Sequence, residues 1–181
     1  MFSPFKMLDT SNPGAAMLPA GYKAVAGYIG GDTPHVWSPQ QWKQFKGVRK
    51  LPIWVDDIKT GPAAGEADGW ACLEALFKLG VPTGKVVAYD IETSKDANRA
   101  YAFAKVLNYA GFVVWLYGSR STVLTIQFAD YWVADYTNVP HWPTVRATRA
   151  CQYEANVAIA GVTWDVSVIR RWQVLTGKLW V

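Results

Sequence analysis

Val86-Val87-Ala88-Tyr89-Asp90-Ile91-Glu92 is an apolar run that closes on two carboxylates at positions i and i+2. Its length and its β-branched start read as a buried strand, and residues two apart on a strand face the same side. Asp90 and Glu92 are therefore expected to project together from the strand's C-terminal end. For an isolated Asp-x-Glu the plainer reading is a solvated turn, so the weight falls on what surrounds it.

Helical patterns flank this strand. Before it, Glu66 to Leu79 sets Trp70, Leu73, Leu76 and Phe77 at helical spacing, and Gly80 and Pro82 end the pattern. After it, Asp96 to Ala110 repeats the spacing with Ala100, Phe103, Ala104 and Leu107, stopped by Gly111. A third helix opens at Ser38, read as the N-cap, with Pro39 at the first helical position, where a missing N–H costs nothing. Strands are predicted near Lys6 to Asp9, Ala24 to Ile29, Leu51 to Val55, Val86 to Ile91, Phe112 to Tyr117, Tyr131 to Tyr136, Ala150 to Tyr153 and Val162 to Val166. Gly27-Tyr28-Ile29-Gly30-Gly31 lacks the dinucleotide and P-loop fingerprints and reads as a tight loop between strand and helix.

Alternating strands and helices imply a parallel sheet, because parallel neighbours need a crossover. From Tyr131 onward the helices thin out. The fold class expected is α/β, a single-domain (β/α) TIM-like barrel spanning residues 1–181, with reduced helices in its C-terminal part. Such barrels usually take about 250 residues and rarely fewer than about 200, so this one must economise.

With 51% apolar and 18% charged residues, the composition is that of a globular domain with one core. No apolar run approaches the roughly 20 residues of a bilayer span, so no membrane insertion is expected. The N-terminus MFSPFKMLDT lacks a secretory pattern, so no signal peptide is expected either. Cys72 and Cys151 read as two separate buried thiols. The net charge of +4 favours anionic surfaces, teichoic-acid-bearing walls among them. Nucleic acid is not expected as a partner, because the densest basic group, Lys43, Lys46, Arg49 and Lys50, reads as the solvated side of a helix. Ten Trp suit stacking on sugar rings, though most are expected to fill the core.

Two further carboxylates sit in apolar strands: Asp9 after Lys6-Met7-Leu8, and Asp165 within Val162-Thr163-Trp164-Asp165-Val166. In a closed barrel the first and last strands are neighbours, and active sites lie at the C-terminal strand ends. Asp9, Asp165, Asp90 and Glu92 are thus expected to meet at one mouth. Clustered carboxylates suit glycoside hydrolysis, where one protonated acid serves the leaving oxygen and a second group supports the oxocarbenium charge. Crowding raises the pKa of one member, expected to be Glu92. The same oxygens would also suit a Mg²⁺ or Ca²⁺ site. No cofactor is expected, His35 and His141 have no metal-ligand spacing, and no nucleophile elbow is present.

These residues resemble those of the glycoside hydrolase family 25 lysozymes, and more closely their glycoside-hydrolase-like relatives of actinobacteria and their phages. Leu8-Asp9-Thr10-Ser11 is similar to the first-strand Asp-x-Ser, Ala26-Gly27-Tyr28-Ile29-Gly30-Gly31 to the second-strand motif, and Tyr89-Asp90-Ile91-Glu92 to the fourth-strand Asp-x-Glu. Trp132-Val133-Ala134-Asp135-Tyr136, Cys151-Gln152-Tyr153 and Trp164-Asp165-Val166-Ser167 follow in the family's order. Asn12-Pro13-Gly14 departs from the family's first loop.

The resemblance implies a barrel with reduced late helices and cleavage of the β-1,4 bond between N-acetylmuramic acid and N-acetylglucosamine in peptidoglycan. Glu92 would be the general acid. Asp90 would either orient the substrate's acetamido group or stabilise the positive charge directly. Asp9 and Asp165 would line the pocket and tune the pair, with Tyr28, Trp54, Tyr117, Trp132 and Gln152 as further substrate-binding residues. A phage lysin or virion-associated protein acting on the bacterial wall is the expected setting. The alternative is a non-catalytic wall-binding or structural module that keeps barrel and cleft.

Overall fold

The computed structural model describes residues 5–14, 17–170, 173 and 176–181. Its elements are β1 (Phe5–Asp9), β2 (Tyr22–Gly31), α1 (Pro39–Gln44), β3 (Arg49–Val55), α2 (Pro62–Lys78), β4 (Val86–Asp90), α3 (Ala97–Tyr109), β5 (Val113–Ser119), α4 (Arg120–Thr125), β6 (Tyr131–Ala134), β7 (Thr148–Ile159) and β8 (Val162–Ile169). The eight strands close into a barrel in sequence order, as the sequence predicts. Seven run parallel to one another. β8 is antiparallel to both β7 and β1, which corrects the all-parallel expectation. The reversal needs no crossover helix: β7 turns directly into β8 through Ala160 and Gly161, both at positive φ, the geometry of a tight hairpin. That hairpin is how the chain saves residues late in the barrel.

Alternation along each strand splits the core into two layers. Met7, Ala24, Ala26, Leu51, Ile53, Val86, Ala88, Trp115, Trp132 and Ile169 fill the interior of the barrel. Their strand neighbours Leu8, Val25, Val87, Leu116, Val133 and Val168 face the surrounding layer with Leu76, Phe103 and Leu107 of the helices. Small interior residues on β2 and β4 leave room for the indoles of Trp115 and Trp132.

Ser38 caps α1 as expected, through a reciprocal box: Gln41 N–H donates to Ser38 Oγ at 3.2 Å and Ser38 N–H to Gln41 Oε1 at 2.7 Å. Asp96 caps α3, accepting from Asn98 N–H at 2.9 Å. α2 starts earlier than its apolar spacing indicates, at Pro62, and buries Gly65, Gly69, Cys72, Leu73 and Leu76. Trp70 and Phe77, expected on that face, are 54% and 58% exposed. The reason is the close approach of α3: a Cβ on Gly65 would meet the Arg99 carbonyl, and one on Gly69 the Val106 side chain.

Gly27, Gly30 and Gly31 are strand, not loop. They are small because bulky neighbours lie over them: Trp37 covers Gly27, Trp54 covers Gly30, and Gly31, at φ +91°, backs onto the Val55 carbonyl. The basic group also departs from expectation. Lys43 lies on α1 and is exposed, but Lys50 belongs to β3 and is only 4% exposed. Cys72 and Cys151 are separate buried thiols, as read from the sequence.

One polar network ties loops to helices. The guanidinium of Arg99, on α3, is 1% exposed and holds Asp68 of α2 (Nη2 to Oδ2, 2.6 Å) and Asp57 in the loop after β3 (Nη1 to Oδ1, 2.6 Å). It also donates to the carbonyls of Asp57 and Lys59. The Tyr89 hydroxyl completes the set, donating to Asp68 Oδ2 at 2.8 Å.

Candidate active site

Strand parity brings the acidic residues together. Asp9 ends β1, Asp90 ends β4, and Asp165 on β8 stands opposite Asp9 in the antiparallel register. All three occupy inward positions, in step with Met7, Ala88 and Ser167 on their own strands. With Tyr28, Ile53, Glu92, Tyr117, Trp132 and Tyr136 they line a cleft of about 170 Å³ at the mouth of the barrel. Glu92 reaches it differently from the expected strand projection. β4 stops at Asp90, and Glu92 sits in the following turn, where its N–H donates to Asp90 Oδ1 at 3.1 Å.

Asp56, which the sequence reading did not single out, shapes that turn. Almost fully buried after β3, it accepts from Thr93 N–H at 3.2 Å and Ser94 N–H at 2.7 Å. Its own N–H donates to the Asp90 carbonyl at 2.9 Å. The available signal was an acidic residue directly after an apolar strand, Leu51 to Val55. Ile53 and Tyr136 are the lining residues not selected.

Two expected pocket residues lie elsewhere. Trp54 is turned to the outer layer, where it packs over Gly30, because its neighbour Ile53 holds the inward position. Gln152 is 1% exposed and lies behind the cleft wall. It accepts from the Tyr117 hydroxyl at 2.6 Å and donates to Asp165 Oδ2 at 2.8 Å, fixing both. Asn156 N–H donates to the other Asp165 oxygen at 2.8 Å. Trp132 is nearly buried too, with its Nε1 donating to Ser167 Oγ at 3.0 Å and its ring 4.6 Å from that of Tyr117.

Burial raises every carboxyl in the cleft, and repulsion between them adds to it at Asp9 and Asp90. Burial, then the charges of Asp165 and Asp90, push Asp9 well above the ordinary carboxylate range, and its Oδ2 is buried without a hydrogen-bond partner. Burial and then the Glu92 charge push Asp90 up to about 8, against the opposing Glu92 N–H. Glu92 is raised by burial, opposed by the Ser119 backbone and Lys95. Of the Asp90–Glu92 pair, Asp90 is pushed higher, not Glu92 as expected, because Asp90 lies deeper and Glu92 stands on an exposed turn. Asp165 is raised by burial while its two hydrogen bonds oppose. A set that retains protons near neutrality can donate one to a bound ligand and still carry negative charge beside it.

Neither His lines the cleft. His35 is exposed, and His141 Nε2 lies 3.0 Å from Asp135 Oδ2 and 3.9 Å from the Cys151 sulfur. That thiol is no ready nucleophile, since burial and then Asp135 push it up to about 12. Among the described residues, no three His, Cys, Asp or Glu side chains are grouped to hold a metal ion.

No protein-family model and no curated protein matches the sequence. Solved structures do match by shape. The catalytic domain of the endolysin ply40, from a bacteriophage of Listeria monocytogenes, is similar at TM-score 0.77 and 17% identity, over 98% of this chain and 98% of that one. An uncharacterized B. stearothermophilus protein matches at TM-score 0.75 and 18% identity, over 97% of this chain and 100% of its own. The modular autolysin LytC of Streptococcus pneumoniae, in complex with a synthetic peptidoglycan ligand, matches at TM-score 0.70 and 18% identity, over 91% of this chain and 46% of LytC. At these identities the likeness establishes the fold, a closed eight-stranded barrel that this chain shares with an endolysin catalytic domain and an autolysin.

Proposed function

We propose that this chain is a cell-wall glycan hydrolase, an N-acetylmuramidase-like lysin that cleaves β-1,4 bonds of peptidoglycan by carboxylate acid catalysis. The observation that carries the reading is the meeting of Asp9, Asp90, Glu92 and Asp165 in one cleft at the barrel mouth. The barrel's likeness to an endolysin catalytic domain and to an autolysin bound to a peptidoglycan ligand supports it.

Glu92 is the general acid. It gives its proton to the glycosidic oxygen as the bond to the anomeric carbon breaks, and a water then adds its hydroxyl to that carbon and returns a proton to the pair. Asp90 supports the positive charge at the anomeric carbon, directly or by holding the acetamido group. A sugar ring over the cleft strips water from Glu92, while the developing cation favours ionised Asp90. Both effects move the shared proton from its resting place on Asp90 to Glu92. Asp9 and Asp165 line the pocket, Tyr28 supplies a hydroxyl to the sugar, Tyr117 forms part of the wall with its hydroxyl tied to Gln152, and a phage lysin acting on the bacterial wall is the setting.

Product analysis is the direct test: purified protein incubated with several peptidoglycans, followed by mass spectrometry. New reducing N-acetylmuramic acid ends are expected. Binding to walls without any product would favour the non-catalytic module instead. The working state of the pair carries one proton, so kcat/KM should fall above about pH 8, where the last proton leaves. A profile that stays flat through pH 9.5 would remove the pair from the acid step.

A further inference from the structure

The largest cavity described lies far from the carboxylates. At the opposite end of the barrel, beside the start of β3 and the end of α2, a cleft of about 830 Å³ is lined by Trp42, Lys43, Lys46, Lys50, Lys78 and Trp180 among others. Its volume is that of a small-molecule site.

Three observations bear on what it could hold. Lys50 is 4% exposed, yet its ammonium makes only a 3.4 Å hydrogen bond to the Val48 carbonyl and lies 5.0 Å from the centre of the Trp180 ring. A buried ammonium without a carboxylate is costly, and the aromatic face offsets only part of that cost. Among the described residues, the one carboxylate paired with these four lysines is Glu74, at 2.6 Å from Lys78. Finally, the Trp42 indole is nearly buried and its Nε1 has no hydrogen-bond partner, while its ring lies 5.6 Å from that of Trp180 at a 47° tilt.

We propose that this cleft is a second binding site, for a phosphate ester carried on a polyol or sugar. The unpaired lysines would meet the phosphate as point charges, and the half-buried Trp180 face, backed by Trp42, would take the polyol or sugar. A wall-borne polyol phosphate polymer and a free sugar phosphate both present this chemistry. The site is independent of the cleavage proposed for the other end of the barrel.

The test is a two-dimensional NMR titration of the ten indole N–H signals, with Trp42 and Trp180 assigned from the Trp42→Phe and Trp180→Phe variants. Poly(glycerol phosphate) and glucose 1-phosphate should each shift these two signals, while neutral chitotetraose should leave them in place. Tighter binding of the polymer per phosphate assigns the wall source, and equal binding the free ester. Reversing two exposed charges, Lys43→Glu with Lys46→Glu, should weaken binding about tenfold and remove most of its salt dependence, with the melting temperature as the check on folding. Unmoved signals at tens of millimolar ester, or unchanged affinity in the double variant, would overturn the site. Tighter binding of a single-stranded oligodeoxynucleotide would overturn the polyol assignment. A protein that cleaves no wall glycan would leave each of these readings as it stands.

Discussion

Glu92→Gln is expected to lower the release of reducing ends from peptidoglycan by about 10²–10⁴-fold, the usual weight of a positioned general acid. The amide keeps the size and the turn but has no proton of the required acidity. Because Glu92 is exposed and its turn is held through backbone N–H groups, that of Glu92 by Asp90 and those of Thr93 and Ser94 by Asp56, the melting temperature should barely change. Removing the negative charge also removes the second-largest cause of the high Asp90 pKa, so Asp90 should titrate closer to the ordinary carboxylate range in the variant. Activity retained within a factor of three, with normal folding, would take the acid role away from Glu92.

Arg99→Met should be the most damaging substitution for stability. It removes the cation between Asp68 and Asp57, leaving Asp68 with the Tyr89 hydroxyl, Asp57 with Lys59, and the two loop carbonyls without the guanidinium. Breaking a buried ion pair from one side costs about 3–5 kcal/mol, which for a chain of this size lowers Tm by roughly 6–20 °C. Adding Asp68→Leu should recover part of the loss, since an apolar pair is tolerated better than an orphaned charge. Thermal unfolding of the single and double variants measures both, and a single variant within 2 °C of the parent would show that the network contributes little.

The strands were legible because each is a short apolar run between Gly, Pro or Asn, and because the inward carboxylates stand out against apolar neighbours. The direction of β8 was not legible, since its residues suit either orientation and only the Ala160-Gly161 turn, small and unremarkable in sequence, fixes it. Glycines in β2 look like punctuation until Trp37 and Trp54 are seen above them. Parity alone would have placed Trp54 outside, given Ile53 inside. α4 went unread because Arg120 to Thr125 has no apolar period. Asp56 and Arg99 act through partners distant in sequence, which no local pattern records. Lys50 looked like a surface charge because its neighbours Lys46 and Arg49 suggested a solvated face.

The pairing of β8 with β1 joins segments separated by almost the whole chain, so it carries the largest loop-closure entropy and belongs late in folding. The β7–β8 hairpin, being local, can form first and wait. Until it docks, Asp165 has not met Asp9, and an unfinished chain has strands but no assembled cleft. Docking also sets two carboxyls side by side, and with Asp9 held above its unfolded value the last step of folding takes up a proton. That contribution to stability is whole below the ordinary carboxylate range and is lost as pH rises from there through the raised value. Completion of the site and closure of the fold are therefore one event.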